Sequence, residues 1–330
     1  VVIDNIGMDM RVGEKLAHSL AALHSHRIQD DDLAFNQEMK PFFLDLCTFV
    51  KDIVSGFFVD NDTTEIDRPT ELARSLGQDA LDAIVQRYCH DVVYRNDCYQ
   101  HGDCHVFNML VGAKPSIEML EQFDPRGDVC VVDWEMTYVG PIGKDVGFLH
   151  PFPIACAMAH ALNGDHSAAM DIIKFLENVW ETYSNDLSTK LELVDVYKSV
   201  LAYASVILLF YYDTGVHLEY LSIDDGKLDR VKASLGVIGL KFIHWGFGDG
   251  AVDSSLEDIR LMFRRAVEEE IQLLTPIRVI QRGRRSSMLR ASGRRVSDAH
   301  LYLLGGSTRQ SLLDADAVIA EIAEAEEADE

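Results

Sequence analysis

The chain has 330 residues, 48% of them hydrophobic and 25% charged, enough apolar material for one large domain or two smaller ones. Its 54 Asp and Glu against 30 Lys and Arg leave a formal charge of −24, which repels phosphate backbones and anionic lipid faces at long range. Nucleic acid and membrane surfaces are thereby excluded as main partners, and any anionic ligand needs a local basic pocket. The six cysteines, Cys47, Cys89, Cys98, Cys104, Cys130 and Cys156, have neither paired zinc-ligand spacing nor the density of a disulfide framework, so reduced thiols in a cytoplasmic protein are expected.

In chain order, Leu16, Leu20 and Leu23 recur at helical spacing and predict an amphipathic helix over 12–24. Further helices are predicted over 42–54 and 80–88, the second entered after an acidic stretch, 60–65, and Pro69. Between 99 and 135 the character changes. Met109 to Val111 and Val129 to Val132 are short β-prone runs flanking a polar loop with Pro125 and Gly127, the pattern of a small antiparallel hairpin. Helices return from 150 to 270, with runs predicted over 168–183, 191–212 and 259–274. The longest apolar stretch, 200–212, is shorter than the roughly 20 residues of a bilayer span and reads as a buried helix. No signal peptide is visible, and no repeat of solenoid length occurs.

The composition shifts after Pro276. Residues 278–297 carry seven arginines and no acid, and residues 314–330 eight acids and no base. Domains are therefore expected at 1–275 and 276–330, the second a flexible tail. Ser287 and Ser297 each follow an arginine pair, the pattern read by a basophilic protein kinase; a solvated basic linker is the competing reading.

Chemistry concentrates in two segments. One is His101-Gly102-Asp103-Cys104-His105-Val106-Phe107-Asn108, just before the first β-prone run; the other, Asp133-Trp134-Glu135, follows the second. A hairpin joining them is expected to bring Asp103, Asn108, Asp133 and Glu135 to one end of its strands. Three carboxylates and an amide suit phosphoryl transfer, where one carboxylate orients an acceptor hydroxyl and the others hold magnesium on the phosphates. Solvated loop acids are the competing reading for any one of them alone.

The segment 101–108 is similar to the catalytic loop of aminoglycoside phosphotransferases, choline kinases and their relatives. The run from Asp133 through Tyr138-Val139-Gly140-Pro141-Ile142-Gly143-Lys144-Asp145-Val146-Gly147 resembles the methylthioribose kinase version of that superfamily's metal segment. The resemblance implies an α+β, protein-kinase-like carboxyl-terminal lobe, mainly helical, with a small β-hairpin carrying the site. It implies ATP and Mg2+ as cofactors, Asp103 as catalytic base, and Asn108, Asp133 and Glu135 as metal ligands. His101, His105 and Asp145 become loop supports. Arg264 and Arg265 resemble an arginine pair at that family's sugar site, and Trp134 is either substrate-stacking or packed beneath the loop. The sequence departs from methylthioribose kinases in having Asn108 and in placing Trp134 where proline is usual, which keeps choline, homoserine and aminoglycosides open as acceptors beside methylthioribose.

Upstream of Asp103 there is no glycine-rich turn over ATP and no lysine in a β-like run, since Gly7 and Gly13 are isolated. The chain is therefore expected to begin near an interlobe hinge, with the kinase activity residing in a longer protein. The competing reading is a non-catalytic binding or regulatory module. The cluster Gly246-Phe247-Gly248-Asp249-Gly250 is weak evidence for phosphate binding, and a homodimer is left open.

Overall fold

The computed structural model describes residues 10–28, 36–59, 67–111, 129–221, 223–251 and 253–276. Contacts divide the chain at Thr275. Ser287, Ser297 and the loop with Pro125 and Gly127 lie outside the described residues.

Four helices come first: α1 (Met10–His24), α2 (Asn36–Gly56), α3 (Arg68–Leu76) and α4 (Gln78–Tyr94). Leu16, Ala17, Leu20, Ala21 and His24 make the buried stripe of α1, the consequence of apolar residues recurring every three to four positions. The start of α3 is fixed by Asp67, whose carboxylate accepts from the Thr70 amide at 2.9 Å, with Pro69 in the first turn.

Four strands of three residues follow: β1 (Cys98–Gln100), β2 (Met109–Val111), β3 (Val129–Val131) and β4 (Tyr138–Gly140). The β2–β3 pair is antiparallel, Met109 opposite Val131 and Val111 opposite Val129, as the two β-prone runs predict. A second antiparallel pair joins β1 to β4, Cys98 opposite Gly140, and encloses the first in sequence. The 101–108 segment and the acid-aromatic-acid segment 133–135 are thus the two links between the inner and the outer pair.

The helices that follow are α5 (Lys144–Leu149), α6 (Pro151–Leu162), α7 (His166–Asp186), α8 (Leu193–Thr214), α9 (Asp225–Gly246) and α10 (Leu256–Leu274). Asp165 caps α7 through the Ala168 amide, and Ser255 with Asp258 forms a capping box on α10. By length and composition α8 passes for a membrane span, but 67% of its most apolar window is buried, where it packs along α9 and α5. Trp180, Tyr183, Tyr203, Phe242 and Phe263 are fully buried in the core, each burial worth about 1.5–3 kcal/mol or more against exposure.

The 246–250 glycines serve packing. A Cβ on Gly246 would crowd Ala202 of α8, and the following turn is tied down by Arg87, whose Nη1 donates to the Phe247 carbonyl at 2.7 Å.

Candidate active site

The loop after β1 is gripped through its backbone. Gly102 has φ +89, and a Cβ there would overlap the Met136 carbonyl, so only glycine fits. The amides of His101 and Gly102 donate to the Asp145 carboxylate at 2.6 and 3.0 Å, and Lys144 Nζ donates to the Gly102 carbonyl at 2.7 Å. Both polar groups of the residue before Asp103 are held by consecutive residues of opposite charge at the start of α5. The Asp145 amide in turn donates to Gln100 Oε1 at 3.2 Å.

Asp145 is fully buried and anchored further. His24 Nε2 lies 3.2 Å from its Oδ2, and His24 Nδ1 lies 2.7 Å from the Tyr183 hydroxyl, so α1 and α7 are wired to the loop. Burial works against the Asp145 carboxylate, but the His24 hydrogen bond, the charges of His24 and Lys144 and the His101 amide outweigh it and hold the group below the ordinary aspartate range.

Asp103 is half-buried. His105 Nε2 lies 3.2 Å from its Oδ2, and Asn108 Nδ2 donates to its carbonyl at 3.0 Å and its Oδ2 at 3.2 Å. Burial pushes its pKa up, but the His105 hydrogen bond and the charges of His105, Lys144 and His101 prevail and hold it below the usual carboxylate range. Asp103 is therefore an anion and an acceptor at neutral pH.

The β2–β3 pair delivers the second segment to this loop. The Val132 amide donates to the Asn108 carbonyl at 2.9 Å, and His101 Nε2 lies 2.9 Å from the Val132 carbonyl. The next residue, Asp133, is left-handed at φ 67, ψ 59, a conformation Asp tolerates better than most residues, and it turns the chain into a short helical turn over Trp134–Met136. Asp133 and Glu135 are exposed. Trp134 is 46% exposed rather than packed beneath the loop: its Nε1 donates to the Val131 carbonyl at 2.8 Å, and its ring meets His101 edge-on at 4.6 Å.

Among the described residues no three His, Cys, Asp or Glu side chains are placed to hold a metal ion. Asn108, Asp133 and Glu135 nevertheless supply only hard oxygen, and magnesium is held by few protein ligands with water and phosphate completing its shell. The donor set fits that ion, with Asn108's nitrogen committed to Asp103 and its oxygen the end a cation would meet. Arg264 is engaged elsewhere, 3.4 Å from Glu177 and 3.2 Å from Glu268, and Arg265 is exposed on α10.

Beside Asp103 stands a group of rings. Phe107 lies 5.8 Å from His105, 4.8 Å from His217 and 5.2 Å from Tyr220 between ring centroids. His217 is left-handed at φ 66, which presents the 217–220 turn to the loop. Sequence reasoning missed His217 and Tyr220, and it missed His24, Gln100 and Lys144, since a buried polar partner has no periodicity to mark it. Only Lys144 lay inside a segment already singled out.

A family model described as the phosphotransferase enzyme family matches residues 9–176, just over half of the chain, and takes in α1, both strand pairs and every residue of the Asp103–Asp145 network except Tyr183. No curated protein matches the chain. With the matched region carrying a clamped aspartate loop and an oxygen-rich turn on one small hairpin, the chain belongs to the phosphotransferase enzyme family.

Proposed function

We propose that this chain carries the catalytic lobe of an ATP-dependent small-molecule kinase that moves the γ-phosphoryl group to a hydroxyl of a sugar-like acceptor, 5-methylthioribose being the first candidate. The observation that supports it most is the state of Asp103: an anion next to Asn108, at the tip of a loop whose preceding peptide groups are fixed by Asp145 and Lys144. Such a carboxylate accepts the proton of an attacking hydroxyl and orients the oxygen toward phosphorus. Asn108, Asp133 and Glu135 would hold magnesium, which when bound neutralises the charge of the phosphates. His105, with Nε2 3.2 Å from Asp103 Oδ2, would keep the carboxylate oriented.

The acceptor assignment rests on the Tyr138–Gly147 segment and on the rings of Phe107, His217 and Tyr220, which offer an apolar wall for a substituent such as an alkylthio group. Choline, homoserine and aminoglycosides are the alternatives. The test is phosphotransfer by the full-length protein across this panel, with Asp103→Asn beside wild type. The variant is expected to fold normally and to lose about 10²–10⁴-fold in turnover. Near-wild-type turnover would remove Asp103 from the chemistry, and no turnover of any acceptor by wild type would favour a binding module.

A further inference from the structure

Lys144 is 1% exposed. Its ammonium lies 2.7 Å from the Gly102 carbonyl, 4.6 Å over the Tyr138 ring and 5.2 Å from the Phe148 ring. The groups that act on its charge are Asp145 beside it on α5 and Asp103 and Cys104 on the loop, with the Tyr138 ring on β4. His24 and the His101 amide are hydrogen-bonded to Asp145, its neighbour on α5. Burial drives its pKa down to about 8 despite these carboxylates.

The sign of that shift matters. Below about pH 8 Lys144 is charged in both the folded and the unfolded chain; between there and 10.5 the unfolded chain binds the extra proton, so native stability rises with pH across that window. A buried ammonium with a depressed pKa is thus a cost to folding at neutral pH. A stabilising core ion pair would show the opposite behaviour. The ammonium donates to the peptide that joins Gly102 to Asp103, whose glycine is gripped at its other end by Asp145 and admits no side chain.

We propose that Lys144 is a positioning residue, which fixes the Gly102–Asp103 peptide and so the direction in which Asp103 presents its carboxylate. The proposal builds on Asp103 as the reacting group, but its test reads the loop and not turnover. In the isotope-labelled full chain, Lys144→Met is expected to accelerate amide exchange at Gly102 and Asp103 at least tenfold relative to amides of α8. A lysine that merely fills space would move loop and α8 together, and unchanged exchange at 102–103 overturns the proposal.

If the variant does not fold, the wild type answers by itself. The Lys144 Cε resonance is expected to titrate near pH 8, with the Gly102 carbonyl carbon shift following it at the same midpoint. A carbonyl shift flat through that titration refutes the coupling. Should the loop signature hold while Asp103→Asn leaves turnover intact, the catalytic reading fails and the positioning contact stands.

Discussion

The two segments that make the site are built in opposite ways. His101 and Gly102 are buried, and their backbone groups are met by side chains of α5 with α1 behind them: Asp145 on two amides, Lys144 on a carbonyl, His24 against Asp145. The 133–135 turn is exposed, held mainly by the Val132 contacts and by the Trp134 and Thr137 bonds to nearby carbonyls. On the proposed reading, the group that would point at a hydroxyl is held by a buried frame, whereas the groups that would meet a hydrated cation stay in water, where a full shell could assemble around it.

The sharpest way to break that contrast is Asp145→Ala. It leaves the His101 and Gly102 amides without a carboxylate and Lys144 without its strongest counter-charge, at a fully buried position. Removing one partner of a buried charged network costs about 3–5 kcal/mol, read as a shift in denaturant midpoint at constant slope. The same network sets an acid limit in the wild type. Because the folded Asp145 pKa is depressed, its contribution is complete above the ordinary value of 3.8 and drains as pH falls through the lower folded value. Asp145→Asn should flatten that acid limb, and an unchanged pH profile would show that the carboxylate is not the linked group.

Gly102→Ala comes next. The positive φ costs about 1–3 kcal/mol for a side-chain residue, and the overlap with the Met136 carbonyl forces a backbone shift of similar cost. Destabilisation of about 2–4 kcal/mol by thermal unfolding is expected, with Asp103 displaced. Under about 0.5 kcal/mol would mean that the loop is far softer than its contacts state.

How far the sequence disclosed these features follows from the range of the interactions involved. Helices α7, α8 and α10 were legible because an amphipathic or uniformly apolar run repeats every turn. The full extent of α9 was harder to read: Gly226, Gly236 and Gly239 interrupt it, and its helical state rests on packing along α8 and α3. The β2–β3 hairpin was legible from two valine-rich runs, but the β1–β4 pair was not, since Cys98–Gln100 carries no alternation and its partner lies some forty positions away. In the site, Asp103, Asn108 and Asp133 stood out as acids and amides beside strands. His24 and Lys144 did not, because one lies in the apolar stripe of α1 and the other in a glycine-rich turn, where a charge ordinarily faces solvent.

Asp133→Asn probes the exposed side, with the smallest expected effect on the fold. Asparagine adopts the left-handed conformation as readily as aspartate, and the carboxylate is exposed, so stability should change by no more than about 0.5 kcal/mol. The charge is what a divalent ion would feel. Losing one unit at ligand distance in a solvated site is worth on the order of 1–2 kcal/mol, or about tenfold or somewhat more in magnesium-dependent nucleotide affinity. The informative result is the pair of readings together, a fold untouched and a magnesium titration displaced. An unmoved titration would take Asp133 out of the metal site and leave only Asn108 and Glu135 to hold the ion, while a large loss of stability would mean that the exposed turn is as much a part of the frame as the clamped one.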